Sequence, residues 1–518
     1  MMLLLFYLYL QLKNIFFVVI SIFLITGYSK NGDNMENKSI WTVDINEKVC
    51  PKLDKDISVD VLIIGGGITG ISTAYHLINS GLKVCLVDRN KTCSRVTSRT
   101  TGKLTYLQDN IYSKLKSYHG ESISKLYLEA QKGSIKMVKD VIKKNRIDCN
   151  FEKVKSFVFS NSSDNDMNEE ISLLKEFDVP LKESNFLPNK EKVMYSYYVN
   201  DTYVFHPLKY LFALKEKCLN ENILIYENTK IVSIDKENDI FVCKTSNNKI
   251  NAKYVVLALH YPYFLVPFLF PLKSYIEKSY IGAFKTDKNY KFSSISVSKP
   301  IISSRYYSDN DDVFELYLSN SHNTCIYDND KSNFDDLICS KSKKPNYLWS
   351  NNDIMTYDLL PFIGFIDDNL LIGTGYNTWG MTNGFLAGWI ISDLILGNKN
   401  KYSSLFNPLR GINLGKVVNF PTILGSSAFS FAKSKLCKNK SWYSSNVKFE
   451  KRNGKDVAIY VDENKKEHIV YNKCPHLKCS LIFNEVEKTW DCPCHGSRFD
   501  LDGKCIEGPS NYDISYRK

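Results

Sequence analysis

Apolar residues along this chain fall into runs, stripes and alternations, and the changes between these patterns mark its parts. Val59–Ile64 is a nearly continuous apolar run, the pattern of a strand buried on both faces. A helical spacing through Ala74, Leu77 and Ile78 follows. After Gly81 a second run, Lys83–Val87, ends in Asp88, so the stretch predicts a strand–helix–strand unit. Residues 119–145 set Ile123, Leu126, Ala130, Ile135, Val138 and Ile142 near the helical period and predict one long helix with a core-facing stripe. Ile231–Ile234, Phe241–Lys244 and Tyr254–Leu259 read as strands, with Asn247-Asn248 as a turn. A short strand around Leu371-Ile372 runs into a glycine-rich turn and then the apolar helix Phe385–Leu396. Residues 411–437 hold Gly411, Gly415, Pro421, Gly425, Ser426 and Ser427 and read as a linker arm. From about 440 the pattern becomes small antiparallel β: Val457–Val461 and His468–Tyr471, with turn signals at Asn453-Gly454 and Asp502-Gly503.

The length of 518 residues allows several domains, and 44% apolar residues suffice for a large core. The net charge of +11 is carried by lysine, since only nine of the 67 basic residues are arginine. No basic stripe with interleaved aromatics occurs, so no nucleic-acid partner is expected. Ten of the fourteen cysteines are scattered singly, which is not a secreted disulfide framework and points to the cytoplasm. Residues 3–27 are apolar apart from Gln11, Lys13 and Asn14, long enough together to span a bilayer. Residues 1–34 therefore read as a membrane anchor, a signal peptide, or untranslated sequence ahead of a start at Met35. Codons for Gly32-Asp33-Asn34 accommodate a purine-rich ribosome-binding sequence before that methionine. Cytoplasmic location is expected, or else a tether to the cytoplasmic membrane through residues 3–27.

The first strand–helix–strand unit carries Gly65-Gly66-Gly67-Ile68-Thr69-Gly70 at its first turn. Gly65 permits the tight turn, Gly67 lets backbone approach a pyrophosphate, and Gly70 lets helix and strand pack closely, with Asp88 placed for a ribose hydroxyl. This unit leaves NAD and FAD equally open. The second glycine-rich segment, Gly373-Thr374-Gly375-Tyr376-Asn377-Thr378-Trp379-Gly380-Met381-Thr382, offers another helix N-terminus to a dinucleotide.

Near the C-terminus, Cys474-Pro475-His476-Leu477-Lys478-Cys479 and Cys492-Pro493-Cys494-His495-Gly496-Ser497 supply two thiolates and two imidazoles. That set points to a [2Fe–2S] cluster held by two cysteines and two histidines, with a structural zinc ion as the alternative. Zinc leaves the second cysteine of each loop and Gly496-Ser497 without a role.

These two loops resemble the Rieske proteins of cytochrome bc-type complexes. The resemblance implies cluster ligands Cys474, His476, Cys492 and His495, a disulfide between Cys479 and Cys494, and a hydroxyl donated by Ser497 to a cluster sulfur. Lys478 stands where that family has glycine and Pro475 where it has threonine; a positive φ at Lys478 would carry strain. The two glycine-rich turns together resemble the FAD-binding fold of the D-amino-acid oxidase and glycine oxidase (DAO) superfamily. Ser98–Thr105 is similar to a bacterial branch of that superfamily fused to a C-terminal Rieske domain.

The resemblance implies an α/β FAD-binding (Rossmann-like, DAO-type) domain over residues 57–400, with an inserted α+β substrate domain within about 145–225 and 262–350. A small all-β Rieske domain follows over 438–518. The implied FAD contacts are Gly65, Gly67, Gly70, Asp88, Thr101, Gly102, Lys103, Gly375, Asn377, Gly380, Met381 and Thr382. Arg305 corresponds to a roof-sheet arginine and is a candidate for the substrate carboxylate. His206, His322 and Lys103 are further site candidates, with His206 equally suited to starting a helix at Pro207. The expected activity is FAD-dependent oxidation of an amine or amino-acid-like substrate. Electrons would pass singly to the cluster and on to a protein or quinone acceptor. Two alternatives are an oxygen-using oxidase with a structural or sensing Rieske domain, and an electron-transfer protein without its own small substrate. No 2-His-1-carboxylate set for mononuclear iron is legible.

Overall fold

The computed structural model describes residues 37–43, 45–162, 166–261, 273–309, 311–324, 330–411 and 446–516. The apolar segment 3–27, the start at Met35 and nearly all of the linker 411–437 lie outside these. Among the described residues no helix is long and apolar enough to cross a membrane.

The expected unit at the start of the fold is present as the strand Ile57–Ile64, the helix Ile68–His76 and the strand Val84–Val87. The first strand lies at the centre of an eight-stranded sheet, parallel to Val84–Val87 on one side and Lys249–Leu257 on the other. Leu370–Thr374 joins parallel to Lys249–Leu257, and the hairpin Ser233–Glu237/Ile240–Lys244 hangs from that strand's other end. The continuous apolar runs are explained by this position: Val61, Leu62 and Ile63 are fully buried because helices cover one face and the hairpin side covers the other.

A second, nine-stranded sheet draws most of its strands from the regions expected to form the substrate domain. In order across it run Tyr347–Thr356, Ser274–Thr286, Asp312–Asn323, Ser303–Asp309, Phe292–Ser296, Glu152–Ser160, Lys192–Val204 and Lys103–Leu104, with Lys182–Phe186 paired to the long strand Lys192–Val204. The long helix predicted over 119–145 runs Glu121–Asn145, and its stripe is plain core through Ala130, Ile135 and Val138. The C-terminal helix begins five residues earlier than its apolar run suggests, at Gly380 and not Phe385. The glycine-rich turn thus ends inside the helix's first turn.

Beyond the linker, a three-stranded sheet (Val447–Arg452, Lys455–Val461, Glu467–Tyr471) and a four-stranded sheet (Ile482–Asn484, Thr489–Asp491, Arg498–Phe499, Cys505–Glu507) share a small core around Trp490, Phe483 and Tyr460. Asn453 and Gly454 both adopt positive φ, as the hairpin signal requires.

Candidate functional site

A cleft of about 1210 Å³ opens at the C-terminal ends of the central parallel strands. Its floor is the first glycine turn. A Cβ on Gly70 would sit 1.9 Å from the Gly65 carbonyl oxygen, and one on Gly65, at φ +112°, 2.3 Å from the Ala258 carbonyl oxygen. Nothing larger than hydrogen fits either position. Gly67, Ile68 and Thr69 bring the N-terminus of the helix Ile68–His76 to the cleft, and Gly373, Thr374, Gly375 and Gly380 bring that of the helix Gly380–Ile395. Two helix dipoles aimed at one cleft suit an anionic dinucleotide. Asp88 lines the cleft and shapes the loop: its carboxylate accepts from the amides of Gly66 (2.8 Å) and Asn90 (2.7 Å). The buried Asn90 Nδ2 and Arg95 Nε have no protein acceptor and lie in residues lining the cleft. Spare donors, glycine floor and paired helix ends all fit FAD.

The cleft shares Ile68, Val96, Asp353 and Gly380 with a chamber of about 1750 Å³ under the nine-stranded sheet. Thr101, Lys103, Asn377 and Met381 line this chamber. Lys103 Nζ donates to the Ser294 carbonyl (2.7 Å) and Ser303 Oγ (2.5 Å), and burial with Arg305 nearby pulls its pKa down to about 7. Glu277 and Asp353 face each other in register on the strands Ser274–Thr286 and Tyr347–Thr356, both on the chamber side. Burial, reinforced for Glu277 by Asp109 and for Asp353 by Glu277, pushes both carboxyls up to about 7. Stacked Tyr275 and Tyr357, with ring centroids 5.6 Å apart, and Trp379 add an aromatic wall.

Several expected site residues stand elsewhere. Arg305 is fully enclosed, its Nη1 donating to the carbonyls of Thr101 (3.1 Å), Gly102 (2.8 Å) and Phe205 (3.0 Å) and its Nε to that of Tyr306 (3.2 Å). It lines neither cavity and clamps the Ser98–Thr105 segment, so a substrate-carboxylate role does not fit its placement. Gly102 is small for Arg305's sake: a Cβ there would lie 2.8 Å from Arg305 Nη1. Thr382 points into the core, where its Oγ1 donates to the Thr105 carbonyl (3.1 Å). Asn377 holds the chamber wall together, accepting from the Thr356 amide (2.7 Å) and donating to the Leu359 carbonyl (2.9 Å). His206 caps the helix Pro207–Asn220, its Nδ1 accepting from the Lys209 amide (3.2 Å). His322 Nε2 contacts the Tyr280 hydroxyl (3.1 Å) away from both cavities.

The cysteine–histidine loops form a second centre. Both close tightly and alike: Lys478 N–H donates to the Cys474 carbonyl (2.8 Å) and Gly496 N–H to the Cys492 carbonyl (2.9 Å). A disulfide joins Cys479 to Cys494, with Cα atoms 6.7 Å apart. The Sγ atoms of Cys479, Cys492 and Cys494 lie within 4.8 Å of one another, but two of them are consumed by that bond. The His476 and His495 rings meet at a centroid distance of 5.0 Å, and the Nδ1 of each is buried with no partner. Burial holds both imidazoles neutral, His495 down to about 4. The Cys474 thiol is pulled down to about 7 by a hydrogen bond from Cys492 and, against burial, by the amides of His476 and Leu477 and the Ser497 hydroxyl. Ser497 Oγ itself accepts from the Ser510 amide (2.9 Å), which leaves its proton for sulfur. Two orphaned imidazole nitrogens and two buried thiols that share a hydrogen bond, Cys474 acidified and Cys492 pushed up by that bond and by burial, fit a [2Fe–2S] cluster. Lys478 does adopt φ 61°, and it does so as an exposed residue at the loop tip.

The strands Ser274–Thr286 and Tyr347–Thr356 separate the two centres. Their alternating side chains serve both: Glu277, Ser279, Asn351 and Asp353 face the chamber, whereas Ile276, Lys278 and Asn352 face the cluster domain. Asn352 Nδ2 donates to the Gly496 carbonyl (3.2 Å), one residue from His495. Lys278 Nζ bridges Asp330 (2.8 Å) and Asp491 (2.9 Å), and Arg498 holds Glu487 at 2.7 Å. Glu487 in turn accepts from Arg99 (3.4 Å) and from the Ser350 hydroxyl. Burial opposes ionisation of Asp491, but Lys278 and Arg498 outweigh it and hold this carboxyl well below the usual range.

Residues 60–394 match the family described as FAD dependent oxidoreductase (DAO), and residues 433–516 match the Rieske [2Fe-2S] domain. The chain belongs to the DAO family of FAD-dependent oxidoreductases and carries a C-terminal Rieske domain; FAD and the [2Fe–2S] cluster are its cofactors. It is 30% identical over 504 residues to the Rieske 2Fe-2S iron-sulfur protein YhfW of Bacillus subtilis, covering 91% of this chain and 96% of that one. It is 21% identical over 428 residues to the gamma-glutamylputrescine oxidoreductase of Escherichia coli, across 73% of this chain and 93% of that one. Glycine oxidase from Geobacillus kaustophilus shares the fold of 69% of this chain and 100% of its own at a TM-score of 0.57 and 15% identity.

Sequence reasoning passed over Glu277, Asp353, His260, Arg95 and Glu507. Acids on roof strands look like any solvent-facing alternation until the sheet closes over a chamber. Glu507 gives no sign in the sequence that it reaches the other domain.

Proposed function

We propose that this protein is a dehydrogenase for an amine or amino-acid-like substrate, with electrons leaving the flavin one at a time through the cluster to a protein or quinone acceptor. One observation carries the reading. Three consecutive residues, Asn351, Asn352 and Asp353, present two side chains to the flavin chamber and the third to the carbonyl beside His495. A single sheet then lies between the chamber and the loop that carries His495. FAD supplies hydride acceptance and the cluster one-electron acceptance. The chain does the rest. Gly65, Gly67 and the two helix ends hold the dinucleotide, with Thr101, Lys103 and Met381 toward its reactive end. Glu277 and Asp353 attract the substrate nitrogen and can hold one proton, while Tyr275, Tyr357 and Trp379 exclude water. Among the described residues, seven buried cysteines outside the cluster loops stand in no disulfide, which accords with a cytoplasmic location.

The test is an EPR spectrum of anaerobic holoenzyme before and after a panel of amines and amino acids, with dithionite as reference. The expected result is that one substrate reproduces the anisotropic Rieske signal that dithionite produces. Flavin bleaching with no cluster signal, restored by oxygen with peroxide release, would instead favour an oxidase.

A further inference from the structure

The cluster domain reaches past the electron-transfer face into the FAD cleft. Ile506, Glu507 and Gly508, at the end of the strand Cys505–Glu507, line that cleft together with His260 and Tyr261 of the flavin domain. The approach continues along the rim. Arg89 Nη1 lies 3.8 Å from Cys505 Sγ, and Lys230 donates to the Asn511 carbonyl with its ammonium 5.5 Å from the Tyr512 ring centre.

At the centre of this contact, His260 Nε2 and Glu507 Oε1 are both buried and neither has a hydrogen-bond partner. They are 3.8 Å apart, too far to bond each other. A buried acceptor and a buried imidazole nitrogen, each unsatisfied and aimed at the same space, cost stability unless a ligand group comes between them. Glu507 is otherwise held by Arg498, whose Nη1 lies 3.9 Å from Oε2, so the carboxylate is anchored on its cluster-domain side. Burial keeps His260 neutral, and its single N–H is drawn to the Asn352 backbone carbonyl on the other side of the ring, so the unpartnered Nε2 accepts, as Glu507 Oε1 does.

We propose that the Rieske domain completes the FAD site, with Glu507 and His260 together binding a group of the dinucleotide that donates twice, the exocyclic amine of its adenine, and the loop Ile506–Gly508 closing the cleft. An amine donates twice, so it satisfies two acceptors where a hydroxyl, with one proton, leaves one unpaired and a phosphate, which only accepts, meets both badly. The inference rests on the cleft being the FAD site and is independent of where the electrons go.

The experiment compares full-length holoenzyme with Glu507→Ala, His260→Ala and, as a control at an exposed position of the cluster domain outside both cavities, Lys448→Ala. FAD is stripped, the apoprotein is titrated with FAD, and Kd is read from flavin fluorescence; dithionite-reduced EPR reports the cluster in each. Kd is expected to rise about tenfold in Glu507→Ala and in His260→Ala, the effect of losing one hydrogen bond to a charged or strongly polar group. Parental Kd is expected in Lys448→Ala, with the cluster signal at full intensity throughout. Parental Kd in both cleft variants overturns the proposal. So does a rise that occurs only alongside loss of the cluster signal, or one matched by Lys448→Ala.

Discussion

Asn352 Nδ2 and the Gly496 carbonyl, 3.2 Å apart, tie the roof of the flavin chamber to the loop that carries His495. Cutting this link should slow electron passage without touching substrate oxidation. In Asn352→Leu, stopped-flow absorbance should show parental flavin reduction and slower appearance of the reduced cluster. Equal rates for both steps in variant and parent would show that Asn352 is not on the route.

The ion network around Lys278 fixes the two domains together. Lys278→Met leaves Asp330 and Asp491 buried without their shared cation. Breaking a buried pair costs about 3–5 kcal/mol, and the lower end is expected because Asp491 keeps Arg498 and Asp330 keeps the Tyr280 hydroxyl. Denaturant unfolding followed by near-UV circular dichroism would measure it.

Glu277 and Asp353 set a pH dependence. Both carboxyls titrate near 7 in the fold and near 4 when unfolded, so between those values the native state binds more protons. Their contribution to stability is present below about pH 4 and is lost as pH rises through about 7. Glu277→Gln and Asp353→Asn should therefore melt close to the parent at pH 5 and above it at pH 8. A parental melting curve at pH 8 would mean that the charged pair carries no such cost.

Ser497, with its oxygen occupied by the Ser510 amide, has its proton free for a cluster sulfur. Ser497→Ala should lower the midpoint potential in an EPR-monitored redox titration, because a hydrogen bond to sulfur stabilises the reduced cluster. An unchanged potential would remove Ser497 from the tuning of the centre.

The parts of this molecule that the sequence reveals are those where one residue's role is decided by its near neighbours. Gly65, Gly67 and Gly70 serve one turn, and Cys474 and His476 belong to one loop, so spacing alone discloses them. Thr382 and Asn377 lie in the right motif, yet their side chains turn to Thr105, Thr356 and Leu359, which only tertiary packing decides. Arg305 is conspicuous as a rare arginine in a roof strand. Its four carbonyl acceptors come from segments up to 204 residues away, and no local pattern reports them. Glu507 is the extreme case, since its cleft belongs to a domain folded from the other end of the chain.

The strand Tyr347–Thr356 accepts replacement of side chains more readily than any change in its length. Because neighbouring residues point to opposite sides, one residue inserted or deleted between Ser350 and Asp353 would exchange every downstream assignment at once. The acid meant for the chamber would meet the iron–sulfur loops, and the asparagine meant for Gly496 would meet the chamber. Homologues should therefore be free of gaps across these four positions even where their identities drift.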